Sequence, residues 1–253
     1  MPQWAARQLA DFDQRQPGTL FSEGVSLSLE EAYLLQAAVA DLRAKRGERV
    51  IGYKVGCTSP TIRSQLGIDH SVTGRLFESE THVSGASLSR SDFANLAIEG
   101  ELAVELRHEP SEQDFSGNGI PSCVARVFPV VELHHHVIRG ERLTAEELIA
   151  NNAFQAGFVA GEGVVIEDVD VDPSLGIYLN DQLLDSCQGS VLMETISSSL
   201  QWLMAAMRNR GDRLEAGQII LTGSIPGLHS INEACSLRVE APPFGSVEAT
   251  IAS

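Results

Sequence analysis

The sequence predicts an α+β chain, with a helical N-terminal part (residues 1–48) packed on a large β-rich domain (residues 49–253). Three observations carry that expectation. Helical periodicity is confined to a few stretches, strand-like runs fill most of the remainder, and the two are not regularly interleaved, which argues against a doubly wound parallel sheet. The 253 residues, 43% apolar and 21% charged, have ordinary globular composition and can bury a core without disulfide or zinc staples.

The clearest helix spans 28–46: Ser28 and Glu31 make a capping box, Ala32, Leu35, Val39 and Leu42 recur on one face, and Gly47 is placed to stop it. A second helix is expected from Thr144 with Glu147 as capping partner. A third is expected near 193–208, with a core stripe of Leu200, Leu203, Met204 and Met207 and with Gly211 behind it. Strand composition marks Val50–Val55, Ala97–Leu106, Val127–Leu133, Val164–Val171, Gly176–Leu184, Gln218–Thr222, Ser236–Val239 and Ser246–Ile251. Asn180-Asp181 reads as a hairpin turn and Glu109–Pro121 as a surface loop.

The formal charge of −16 argues against nucleic acid or an anionic membrane as partner, while leaving room for a small anion beside a local cation. The four cysteines form no CxxC pair and read as reduced thiols. The opening MPQWAARQLADF lacks an apolar core and no run approaches a membrane span, so the expected location is the cytoplasm.

Four segments could carry chemistry. In Ile98–Leu106, alternation places Glu99 and Glu101 on one strand face with small Gly100 between them. Like charges that close repel unless a hard cation lies between them, although on this stretch alone a solvated strand face is the preferred reading. Glu132 ends an otherwise apolar strand, where a buried carboxylate needs a partner or a metal. Lys54 sits mid-strand between Gly52 and Gly56, where burial would lower its pKa and make it a usable acid or base, unless the side chain snorkels to the surface. The run Ile219–Ser224 ends a strand in Thr222, Gly223 and Ser224, which suits a nest for a substrate carboxylate or any strand exit.

Together GYKVGCTS from residue 52, GRLF at 74–77, EGELAVEL at 99–106, FPVVE at 128–132, NNAFQAGFVAG at 151–161 and ILTGS at 220–224 resemble one family. They occur in the order expected for the 2-keto-4-pentenoate hydratase and 4-oxalocrotonate decarboxylase group of the fumarylacetoacetate hydrolase superfamily. The resemblance spans roughly residues 25–251. It implies a mixed β-roll or distorted barrel with flanking helices, homo-oligomers, and association in some members with a related decarboxylase or hydratase. It also implies Mg2+ or Mn2+ held by Glu99, Glu101 and Glu132, chelating the carboxylate and 2-oxo oxygens of a small anionic 2-oxo acid. Lys54 would be the acid/base, Glu78 the surviving member of an acidic pair, and Phe77, Thr222 and Ser224 substrate contacts.

The activity so implied is hydration of a 2-hydroxypenta-2,4-dienoate type acid to a 4-hydroxy-2-oxo acid. The alternatives are decarboxylation of a 4-oxalocrotonate type acid, hydrolysis of an acylpyruvate, and a catalytically degenerate relative that serves as a binding or assembly partner. The chain departs from the family pattern at Ser79, Asn152 and Phe154, where Asp, Asp and Ser are expected, and has Leu192–Thr195 in place of a Gly-His-Pro turn. It adds His134, His135 and His136 after Glu132. Of these His134 and His136 would share the face of Glu132 and could replace a missing acid/base or bind an anionic group.

Overall fold

The computed structural model describes residues 1–117, 119–139, 142–165 and 172–253. Among them, strands gather into two sheets. The larger, nine-stranded sheet is curled, and its main path runs β2 (Val72–Phe77), β1 (Val50–Gly56), β11 (Ile219–Leu221), β5 (Leu96–Leu106), β6 (Val124–His135), β7 (Gln155–Ala160) and β3 (Thr81–Val83). The smaller has five strands: β10 (Gln182–Gln188), β9 (Ser174–Leu179), β13 (Cys235–Glu240), β14 (Ser246–Ala252) and β4 (Ala86–Ser89). The mixed α+β architecture matches the expectation, with added strands β2, β3, β4 and β7 and helices α1 (Pro2–Asp13) and α4 (Pro60–Leu66) among the elements that the sequence reading did not mark.

Local chemistry explains the elements that were legible. Helix α3 (Leu29–Lys45) starts at the Ser28–Glu31 capping box, with both reciprocal hydrogen bonds present, and ends before Gly47 at φ +95°. Helix α5 (Ala145–Ala150) is capped by the Thr144 hydroxyl, which accepts from the Glu147 N–H. Helix α6 (Ser190–Asn209) buries Leu200, Leu203, Met204 and Met207 as its stripe predicts. The β9–β10 hairpin turns on Asn180 and Asp181, both at positive φ as a type I′ turn requires. The strand expected over Val164–Val171 begins as Val164–Val165; the remainder lies outside the described residues.

The main core lies between the two sheets and under α6, where Ile98, Leu102 and Val104 of β5 meet Ile177, Val239 and Leu200. The N-terminal helices close a second cluster with β2 and α5, through Leu20, Leu35, Val72, Ile149 and Phe154. The concave face of the large sheet has its own apolar floor, Leu76, Ala103, Phe128, Val130, Phe158 and Leu221. Among the described residues no helix is long and apolar enough to cross a membrane.

Candidate metal centre and active site

Strand register builds the site. In the antiparallel β5–β6 pair Glu99 stands directly opposite Glu132, so both side chains leave the same face. Glu101, two residues beyond Glu99, and His134, two beyond Glu132, project beside them. Lys54 arrives through the short strand β11, since it pairs with Leu221, and Leu221 with Ala103. Residues from three distant segments therefore share the concave face, at one end of its apolar floor.

The contacts are close. Lys54 Nζ lies 2.7 Å from Glu132 Oε1 and donates to the Ala153 carbonyl at 3.2 Å. His134 Nε2 lies 3.3 Å from both Glu99 Oε2 and Glu132 Oε2. Glu101 Oε2 accepts from the Gly223 N–H. Lys54, Glu101, Glu132 and His134 are all buried, whereas Glu99, with 22% of its side chain exposed, faces the mouth.

Burial and mutual charge set the protonation pattern. Burial alone would pull the Lys54 ammonium down, but Glu132, Glu99 and Glu101 outweigh it and hold it above its ordinary value. This corrects the expectation of a lysine with a lowered pKa: Lys54 is a stored proton and a cation. Burial and the neighbouring charges of Glu132 and Glu99 push the Glu101 carboxyl well above the usual carboxylate range. For Glu132 burial acts upward, and Lys54 and His134 together overcome it and hold the carboxylate ionised. Three carboxylates thus face two bases in a dry pocket. Glu101 Oε1 and His134 Nε2 are buried there without a hydrogen-bond partner. Oxygen-rich donors with unsatisfied lone pairs suit a divalent cation.

Two features of the site carry no side-chain signal in the sequence. Asn152, Ala153 and Phe154 all have positive φ, at 56°, 53° and 59°, a left-handed turn that L-residues adopt at a cost. That turn presents the Ala153 carbonyl to Lys54. Asn152 fixes it to β2, its amide accepting from the Arg75 N–H at 2.7 Å and donating to the Arg75 carbonyl at 2.9 Å. The second feature is Gly223, at φ +100°, where a Cβ would stand 2.6 Å from the Thr58 methyl. Only glycine lets that N–H turn toward Glu101.

The remaining sequence candidates lie differently. The structure does not bring Glu78 to the cluster: it is exposed and paired with Arg49, five residues back along β1 from Lys54, or about 16 Å at strand rise. Phe77 is a platform under the Arg43 guanidinium, 3.5 Å from its ring centroid, and faces α3 rather than the carboxylates. Thr222 and Ser224 do adjoin the site, but their hydroxyls are already donated, to Leu102 O at 2.7 Å and Gly100 O at 3.2 Å. They tie the exit of β11 to the strand that carries Glu99 and Glu101. His134 joins the cluster. His136 lies past the end of β6 with its ring edge-on to Phe154, and His135 points to the opposite face, where it accepts from the Ala94 N–H.

No protein-family model matches the chain. It is 28% identical to 2-keto-4-pentenoate hydratase of Burkholderia vietnamiensis over 221 residues, 87% of this chain and 84% of the relative. It is 24% identical to 4-oxalocrotonate decarboxylase of Pseudomonas putida over 226 residues, 88% of this chain and 85% of that one. The solved structure of 4-oxalocrotonate decarboxylase from Pseudomonas putida G7, complexed with magnesium and adipate, superposes with a TM-score of 0.87. That match is 23% identical and covers 99% of this chain and 96% of the other. By sequence the chain is similar to both the hydratases and the decarboxylase of this group along most of its length. The fold is the fumarylacetoacetate hydrolase-like one that the motif order implied.

Proposed function

We propose that the protein is a metal-dependent lyase acting on a small 2-oxo or 2-hydroxy-dienoic acid, and that it hydrates a 2-hydroxypenta-2,4-dienoate type substrate to a 4-hydroxy-2-oxo acid. The observation that carries this reading is the convergence of Lys54, Glu99, Glu101, Glu132 and His134 on one concave face. The hydratases among the relatives, including the 28% identical protein, favour hydration over decarboxylation.

Glu99, Glu101 and Glu132 would hold Mg2+ or Mn2+, with the open side at Glu99 left for substrate. A cation bound there supplies Lewis-acid stabilisation of negative charge on the 2-oxo oxygen. The chain supplies the rest. Lys54, kept charged by Glu132 and aimed by the Ala153 carbonyl, holds a proton that it can hand to the substrate or share with an incoming water. The apolar floor of Phe128, Val130 and Phe158 keeps bulk water out, so charge developing on the substrate interacts in a low-dielectric pocket. In the hydration itself the dienol proton moves to the far end of the conjugated system, and water then adds at C4.

The second reading, decarboxylation, is supported by the solved decarboxylase whose fold superposes along nearly the whole chain. In that reaction the same electron sink accepts the pair left by departing CO2. Incubation with Mg2+ and freshly generated 2-hydroxypenta-2,4-dienoate, and separately with its 6-carboxylated analogue, tests both. Loss of dienol absorbance with a 4-hydroxy-2-oxo product supports hydration, and CO2 release supports decarboxylation. Stable dienol in both reactions refutes the lyase assignment.

A further inference from the structure

His134 occupies a position that the three-carboxylate scheme leaves unexplained. It sits two residues beyond Glu132 on β6 and shares its face, and its ring is buried with Nε2 aimed between two carboxylates. The distances to Glu99 Oε2 and Glu132 Oε2 are equal, 3.3 Å each, and neither contact has hydrogen-bond geometry. Donor atoms of Glu99, Glu132 and His134 all lie within 4.8 Å of one another. Glu101 has one oxygen held by the Gly223 N–H and the other, Oε1, buried beside the cluster without a partner.

Such spacing leaves room for one ion shared by three donors. Adjacent ligands of an octahedral ion with bonds of roughly 2.1 Å stand about 3.0 Å apart, close to the separations seen here. A ring that served only as a counter-charge would be expected to donate along its N–H axis to one carboxylate, with ordinary hydrogen-bond geometry.

We infer that His134 Nε2 is a direct ligand of the divalent ion held by Glu99, Glu101 and Glu132, adding one imidazole to the carboxylate site so that it prefers a first-row transition ion such as Mn2+ over Mg2+. The inference rests on the reading above that a metal occupies this cluster. Its physical basis is that Mg2+ keeps oxygen ligands and gives up its waters reluctantly, whereas Mn2+, a first-row transition ion, exchanges a water for a nitrogen donor more readily. Glu101 stays in the same site, with Oε2 fixed by the Gly223 N–H and Oε1 free for the ion.

Pulsed electron paramagnetic resonance on the Mn2+-loaded full-length protein reads the ligand directly. A 14N coupling from imidazole is expected, moving to the 15N frequency in uniformly labelled protein and vanishing in His134→Gln. Calorimetric titration of the same two proteins gives the selectivity. His134→Gln should weaken Mn2+ binding by about tenfold or more and Mg2+ binding much less. Mn2+ bound to wild type without a nitrogen coupling overturns the inference and leaves the metal reading standing. Equal weakening of both ions by the substitution also overturns it. Failure of wild type to bind either ion overturns the inference and the metal reading together. The spectroscopic arm needs no variant to fold.

Discussion

Gly100 links the site to the second sheet, and a single methyl group there tests the arrangement. It lies between Glu99 and Glu101 on β5 with its α-carbon turned away from the carboxylates, toward β9 and β13. A Cβ at this position would stand 2.6 Å from Ile177 Cγ1, 2.9 Å from Ile177 Cδ1 and 3.0 Å from Val239 Cγ2. Ile177 and Val239 are fully enclosed, so neither can yield into solvent. Overpacking of this kind costs about 1–3 kcal/mol, and the lower chain entropy of alanine returns about 0.5–1 kcal/mol. Gly100→Ala should therefore destabilise by about 1–2 kcal/mol and lower the melting temperature by about 2–8 °C in a chain of this size. Because the strain falls on the strand that carries both carboxylates, Mg2+ affinity should fall with it. Ile177→Ala removes both close atoms and alone costs about 2–5 kcal/mol as a cavity. Made together, the two changes should cost less than their sum by at least about 1 kcal/mol. Urea unfolding of the four proteins in the cycle, with Mg2+ titration of each, makes the measurement. Additive stabilities, or a Gly100→Ala protein as stable as wild type, would refute the packing argument.

The other predictions bear on the site and its surroundings. Glu101→Gln resembles the protonated side chain that burial favours, so the metal-free protein should melt near wild type while Mg2+ affinity falls by about 10–100-fold; calorimetric binding at unchanged affinity would remove Glu101 from the centre. Lys54→Met strips Glu132 of its buried partner, costing about 3–5 kcal/mol in stability and about 10²–10⁴-fold in turnover. A folded Lys54→Met protein with more than about a tenth of wild-type turnover would contradict a proton-carrying role. Glu78→Ala should leave both turnover and metal binding unchanged, because among the described residues its side chain pairs with the exposed Arg49; a steady-state comparison that found a large loss would restore Glu78 to the mechanism. Burial pushes the Cys57 thiol up to about 11, so roughly one molecule in a thousand carries the thiolate at pH 8. Alkylation of Cys57 should accelerate steadily from pH 8 toward that value, and rapid labelling at pH 8, read by mass spectrometry, would contradict its burial.

Local chemistry determined much of this protein from sequence alone. The Ser28–Glu31 box, the Thr144 cap, the α6 stripe and the Asn180-Asp181 turn depend on neighbours a few residues away, and each formed as the sequence dictates. Alternation along β5 likewise fixed that Glu99 and Glu101 share a face. Partners across strands were beyond its reach. Register alone decided that Glu132 faces Glu99, that Lys54 arrives through β11, and that His134 rather than His136 completes the cluster. The raised Lys54 ammonium shows the same limit, since burial predicts one sign and three acids delivered from elsewhere impose the other. The Ala153 carbonyl and the Gly223 N–H are backbone groups that every residue carries, so only the folded chain could reveal where they point. Phe77 and Glu78 are the converse case: motif order suggested a site, and the direction in which β2 ends turned both side chains toward Arg43 and Arg49.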